Sequence, residues 1–181
     1  VIEPGAPDTG VVFVRSDLPD RPELPVDVDS VDSSGRRTAI RGGGAEINTV
    51  EHFLAACHGL GVHNLRIEVD GPEMPGLDGS ALPYVEALRA AKPVDQEATR
   101  KEFQLLEPLS VSDPSSDASI VALPAEEGLW CSYTLDHGET PHLGSQYLCV
   151  KIDANSFTNE IAPARTFCLE AEANALRAAG L

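Results

Sequence analysis

The stretch Asn48-Thr49-Val50-Glu51-His52-Phe53-Leu54-Ala55 sets a glutamate beside a histidine where a helix is expected to begin. Asn48 reads as the N-cap and Glu51, three residues on, as its capping-box partner, an arrangement that satisfies the first free amides of a helix. Val50, Phe53, Leu54 and Cys57 recur at i, i+3, i+4 and i+7, which is one apolar helix face. At about 100° per residue, His52 points roughly 160–200° away from the centre of that stripe, so it is not expected in the core beneath its own helix. The adjacency offers a metal ligand and a proton acceptor at one spot. The same pair also reads as a carboxylate compensating the helix dipole beside a solvated imidazole, and spacing alone does not choose.

Before this helix, Val11-Val12-Phe13-Val14 and the alternation Val26-Asp27-Val28-Asp29 predict strands, and Arg37 to Ile47 predicts a hairpin turning through Gly42-Gly43-Gly44. The triple glycine has no Gly-Lys-Ser/Thr continuation, which argues against a nucleotide-binding P-loop. After it, Gly59 to Gly61 supply helix-stop chemistry, and Leu65, Ile67 and Val69 alternate with Arg66 and Glu68 as a half-buried strand. Gly71 to Gly76, with two prolines, must be loop. Ser80 is a suitable N-cap for a helix reaching about Ala91, with Pro83 tolerated in its first turn, and Asp78 with Ser80 reads as turn and cap chemistry.

Lys92-Pro93 to Thr99 reads as a linker, dividing the chain into residues 1–97 and 98–181. The second part carries strand-like runs at Phe103–Leu106, Ile120–Leu123, Leu129–Leu135 and Tyr147–Ile152. A helix follows near Ser156–Ile161, stopping at Pro163, and another spans about Glu170–Ala179. Both parts run strands first and helices after, which predicts an α+β chain of two layers on one plan, without a residue-level repeat.

With 181 residues and 42% apolar content the chain can bury a core. No apolar run is long enough to span a membrane. A formal charge of −16 argues against sequence-independent nucleic-acid binding, which draws on lysines and arginines neutralising phosphates. Arg36, Arg37 and Arg41 cluster locally, as they would in dressing a hairpin. Cys57, Cys131, Cys149 and Cys168 form no C-x-x-C pair; they favour a reducing cytosol and leave room for one disulfide. The chain begins at Val1, in strand-like sequence and without a leader, and is expected to be a piece of a longer protein.

Five motifs in register carry a resemblance. They are Thr49-Val50-Glu51-His52, Gly59-Leu60-Gly61-Val62-His63-Asn64, Glu73-Met74-Pro75-Gly76-Leu77-Asp78-Gly79-Ser80-Ala81, Gly144-Ser145-Gln146 and Ala164-Arg165-Thr166-Phe167. Over essentially the whole chain they resemble the zinc-dependent UDP-3-O-acyl-N-acetylglucosamine deacetylases of lipid A biosynthesis. The resemblance implies two similar two-layer α/β sandwich domains packed face to face around the active site, the second incomplete at its C-terminus. It implies a cytoplasmic enzyme acting on a UDP-sugar acyl substrate. It casts His52 as one of three protein ligands to Zn2+, Glu51 as general base, Thr166 as the hydroxyl that steadies the oxyanion, and Phe167 as part of the substrate wall. Asp78 falls on a loop position whose role is taken as structural.

The residue types suit that chemistry. Imidazole-bound zinc acidifies its water and polarises an amide carbonyl, and a carboxylate alongside can take the proton. A placed hydroxyl stabilises the charge that develops. The departure is the ligand set: the resemblance implies a further His and Asp four residues apart on one helix, and a later His as general acid. His58, His63, His137 and His142 show no His-x-x-x-Asp pattern. The remaining ligands are expected beyond Leu181, and the piece alone is expected to be inactive. The alternative is a naturally shortened, non-catalytic relative serving as a binding or assembly module.

Overall fold

A computed structural model describes residues 1–33, 37–138 and 143–180. Arg36 of the arginine cluster and His142 lie outside the described residues. The chain is α+β, with several small sheets and four helices among the described residues.

Strands β1 (Ile2–Pro4), β2 (Val11–Arg15) and β3 (Glu23–Pro25) join β7 (Leu65–Val69) in a four-stranded sheet of order β1-β7-β2-β3. β7 runs parallel to β2, with Phe13 opposite Ile67, and antiparallel to β1. Along β7 the apolar positions Leu65, Ile67 and Val69 are buried while Arg66 and Glu68 are half-exposed, the period-two pattern that fixes strand register. A second sheet, β4-β5-β6, takes β4 (Val31–Asp32), β5 (Ala39–Gly42) and β6 (Ala45–Asn48). Its β5–β6 hairpin turns at Gly43 and Gly44, both at positive φ, the two-residue turn whose twist suits a hairpin.

Helix α1 (Glu51–Leu60) packs against α2 (Leu82–Ala90), and both sheets contribute to the core they share. Phe53 stands at its centre, edge-on to Phe13 at 6.0 Å and to Tyr84 at 5.4 Å between ring centroids. α1 stops at Gly61, whose amide bonds back to the His58 carbonyl at 3.1 Å.

The second half is built differently. Among the described residues, β8 (Leu109–Asp113) pairs only with β9 (Ala118–Ala122), and β10 (Leu129–Asp136) only with β11 (Ser145–Ile152), as two antiparallel hairpins. The chain then forms α3 (Ala154–Ser156), which continues as one π-helical turn over Phe157–Ile161, and later α4 (Glu170–Ala178). Phe157 and Ala162 are buried in the core of the first half. Gly59 of α1 makes this possible: a β-carbon there would stand 2.2 Å from the Phe157 ring.

Two local expectations are corrected. Val26–Asp29 is not a strand: Val28–Ser30 is a 3-10 turn, with the Asp27 carboxylate accepting from the Asp29 amide and Ser30 Oγ accepting from the Asp27 amide. Such side-chain bonds compete with the sheet ladder. Phe103–Leu106 is not a strand either; no other described segment pairs with it, and its Phe103 and Leu106 are 90% and 87% exposed. The first strand of this half lies further on, at β8, where the Asp113 carboxylate gathers Ser115 and Ser116 into the turn. All four cysteines are free thiols.

Candidate active site

β6 ends at Asn48 and α1 begins at Glu51, so the residues between them decide where Glu51 and His52 point. Asn48 is buried and fully engaged. Its amide donates to the Pro72 carbonyl (2.8 Å) and its carbonyl accepts from the Met74 amide (3.0 Å). Its Nδ2 donates to Pro72 O (2.9 Å) and Glu46 Oε1 (3.3 Å), and its Oδ1 accepts from Arg37 Nε (3.1 Å). Asn48 is therefore not the helix cap, and there is no capping box with Glu51. Its side chain is committed elsewhere, and Thr49 turns the chain away with a left-handed φ of 58°. That conformation costs a β-branched residue about 1–3 kcal/mol. The Thr49 hydroxyl meets Glu73 Oε1 at 2.6 Å. Val50 takes the cap position without a side-chain bond.

Glu51, freed from capping, turns its carboxylate to the Thr38 amide, which donates to Oε2 at 3.1 Å. The Thr38 carbonyl in turn accepts from the Val50 amide. Glu51 and His52 both lie in the first helical turn and are half-buried; His52 is outside the core.

Thr166 arrives from the other half of the sequence. It lies in the extended segment between Pro163 and α4, tied down by two bonds to one loop: its amide donates to Gly79 O (2.8 Å), and Arg165 Nε donates to Asp78 O (2.7 Å). Its hydroxyl then stands 3.3 Å from His52 Nε2, 114 residues away in sequence. The expected meeting of these two residues is present. Phe167 is exposed, with its ring edge-on to His137 at 6.3 Å between centroids.

Asp78 braces the loop. Its carboxylate accepts from the Ser80 amide (3.0 Å) and hydroxyl (2.8 Å), and the Ser80 hydroxyl accepts from the Leu82 amide. Ser80 thus serves the start of α2 from one residue before the cap position, which Ala81 holds. The hydroxyl of Ser80, then its amide and the nearby Arg165, hold the Asp78 carboxyl below its ordinary range. The other helical histidine, His58, faces with His63 into a groove of about 1290 Å³ by the linker, which His52 does not line.

A family model described as UDP-3-O-acyl N-acetylglycosamine deacetylase (LpxC) matches residues 1–181. The chain belongs to this deacetylase family. It is 40% identical over 185 residues to the UDP-3-O-acyl-N-acetylglucosamine deacetylase of Nostoc sp., covering 99% of this chain and 65% of that protein. It is 38% identical over 178 residues to the protein of the same name from Bdellovibrio bacteriovorus, covering 98% and 58%. Against the bifunctional enzyme LpxC/FabZ of Chlorobaculum tepidum it is 37% identical over 179 residues, covering 99% and 38%. The chain thus spans less than two thirds of the length of each of these relatives.

The described residues do not complete a metal site. No group of three or more His, Cys, Asp or Glu side chains that could hold an ion occurs among them. His52 alone does not make a catalytic zinc site, which needs three protein donors and an open position. Thr38, Glu73 and His137 were not visible as site neighbours in the sequence. Thr38 acts through its backbone, and His137 reaches Phe167 only through the fold. Glu73 stood in the matching motif, and that membership was the one available signal.

Proposed function

We propose that this chain supplies part of the active site of an amidohydrolase that removes the N-acetyl group from UDP-3-O-acyl-N-acetylglucosamine in lipid A biosynthesis. The observation that carries this reading is the Thr166 hydroxyl 3.3 Å from His52 Nε2, beside Glu51 in the same helical turn. In the reaction water adds to the amide carbonyl, the carbon–nitrogen bond breaks, and a free amine and acetate leave. Glu51 takes the proton from the attacking water, and the leaving nitrogen takes its proton from a general acid outside the described residues. The second carboxylate oxygen of Glu51 is fixed by the Thr38 amide, so one oxygen remains to face the water. The Thr166 hydroxyl donates to the oxygen on which negative charge develops. Phe167, apolar and exposed at the rim, forms part of the wall along the substrate.

His52 is one donor to the family's zinc in this proposal, the others coming from outside the described residues. In this proposal residues 1–97 form one α+β domain, and residues 98–181 supply part of a second that segments outside the described residues complete to the same two-layer plan, with the substrate between them. Four free thiols, three of them exposed, suit a reducing cytoplasm, where a nucleotide-activated sugar is at hand. Among the described residues no helix is long and apolar enough to cross a membrane.

The test uses the intact protein that carries this chain, with amine release from UDP-3-O-acyl-N-acetylglucosamine followed by mass spectrometry. Glu51→Ala should lower turnover by about 10²–10⁴ while bound zinc, counted by elemental analysis, is retained. His52→Ala should lose both. Thr166→Val should lower turnover by about 10²–10³. Wild-type turnover in Glu51→Ala, or no amine from the intact protein, would overturn the proposal.

A further inference from the structure

Thr49 lies two residues before Glu51 and holds a left-handed backbone that glycine adopts without strain, and glycine serves that purpose at Gly43, Gly44 and Gly79. A β-branched threonine at such a position calls for a reason in its hydroxyl. That hydroxyl meets one carboxylate oxygen of Glu73 at 2.6 Å. Around it the backbones are joined as well: Asn48 and Glu73 form an isolated parallel bridge, with the Asn48 amide on Pro72 O and the Met74 amide on Asn48 O.

Glu73 opens the same loop that ends at Ser80. Five residues after Glu73, the Asp78 carbonyl holds Arg165, and the next carbonyl, that of Gly79, holds the Thr166 amide. Between these ends the loop is stiffened by Pro75, whose carbonyl accepts from the Tyr84 hydroxyl, by the buried Met74 and by the Asp78–Ser80 turn. One short segment thus grips the start of α1 at one end and the Thr166 segment at the other.

We infer that Thr49 and Glu73 are positioning residues, and that their hydrogen bond sets, through loop 72–80, the separation between the Glu51-His52 pair and Thr166. As a statement about catalysis this rests on the proposed hydrolase reading; as a statement about geometry it does not. Glu73 is exposed and lies outside the core, so the bond's role lies in aiming α1. A displacement on the scale of 1 Å at reacting groups costs about 10²-fold in rate, so a partial release here should cost about tenfold.

The experiment compares Thr49→Val and Glu73→Leu, which remove the bond, with Thr49→Ser and Glu73→Gln, which keep a hydroxyl and an acceptor oxygen. In the intact protein, the nuclear Overhauser effect between the His52 ring and the Thr166 methyl reports the separation, and kcat and KM for UDP-3-O-acyl-N-acetylglucosamine report its use. Thr49→Val and Glu73→Leu should weaken the Overhauser effect and lower kcat about tenfold with KM nearly unchanged. Thr49→Ser and Glu73→Gln should retain both, and the Val/Leu double variant should be no worse than either single one, as for two partners of one bond. Should Thr49→Val fold poorly, Glu73→Leu removes the same bond from the exposed side. A wild-type Overhauser effect in both bond-breaking variants, with only the melting temperature lowered, overturns the inference. A weakened Overhauser effect in a protein whose wild type releases no amine upholds the positioning and sinks the hydrolase reading instead.

Discussion

Residues 1–91 and residues 103–151 are both rich in strands, yet they keep their apolar side chains in opposite places. In the first segment Phe13, Leu24, Ile40, Ile47 and Phe53 are fully buried, because two sheets and two helices close around them. In the second, Val111 and Ile120 are 73% and 75% exposed, and Trp130 and Tyr147 are exposed too, because each hairpin pairs only with itself. An isolated two-stranded hairpin is marginal in water. The lesson is that strand pairing and core formation are separate achievements: backbone bonds shape both segments, whereas burial is concentrated in the first.

The sharpest way to break this contrast is a pair of truncations. Phe53→Ala should cost about 3–5 kcal/mol, since it empties the meeting point of three rings. Ile120→Ala should change stability by no more than about 0.5 kcal/mol, as for an exposed site. Urea denaturation of the two variants decides it, and an equal loss in both would show that the hairpins share a core.

The cysteines sharpen the comparison. Burial pushes the Cys57 thiol up to about 12, so it stays neutral and enclosed, while Cys131, Cys149 and Cys168 are exposed. A thiol reagent at neutral pH should label three cysteines in the native chain and the fourth only on unfolding. Four rapid labels would mean that the first half opens as readily as the second.

The smallest effect is one of pH. Asp78 is held below its ordinary value of 3.8 in the folded chain, so its contribution is fully present above that value and fades as the pH falls through the lower, folded one. Acidification should therefore free the amides of Ser80 and Thr166 to exchange before the β2 and β7 amides do. Hydrogen exchange measured across that range checks the order.

Much of this was legible in the residues. The Phe53–Cys57 stripe, the alternation at Leu65–Val69 and the glycines at 43 and 44 each follow a local period or a local turn, and each element stands where that signal puts it. The strand-like runs of the second half were legible for the same reason, since β9, β10 and β11 need only their own hairpin partners. The failures arise where a side chain chose a distant partner over a near one. Asn48 has the residue type and spacing of a cap, but Pro72 and Arg37 claim its amide, and no local pattern reports a bond across 24 residues. Glu51 likewise leaves its own helix for Thr38. Phe103–Leu106 has strand composition without a neighbour to pair with. At the candidate site, Glu51, His52, Thr166 and Phe167 came from a resemblance spread over five motifs, and the approach of Thr166 to His52 depends on two bonds to the Asp78 and Gly79 carbonyls that composition does not reveal.

The ring of Phe157 pressed against Gly59 gives the chain a return path. Residues 93–108 are an exposed coil leading out to the hairpins, and the chain then comes back to α1 at Phe157 and Ala162, to α2 through the Arg89–Thr158 bond, and to the Asp78–Gly79 loop at Arg165 and Thr166. The covalent link through that coil is thus not what holds the two ends of the site together. A nick after Arg100 or Lys101 would leave two peptides that still recognise each other, the shorter one carrying Thr166 back to His52. The protein is built as a natural candidate for two-piece complementation, with the bare hairpins as the outward loop of a clasp that closes on itself.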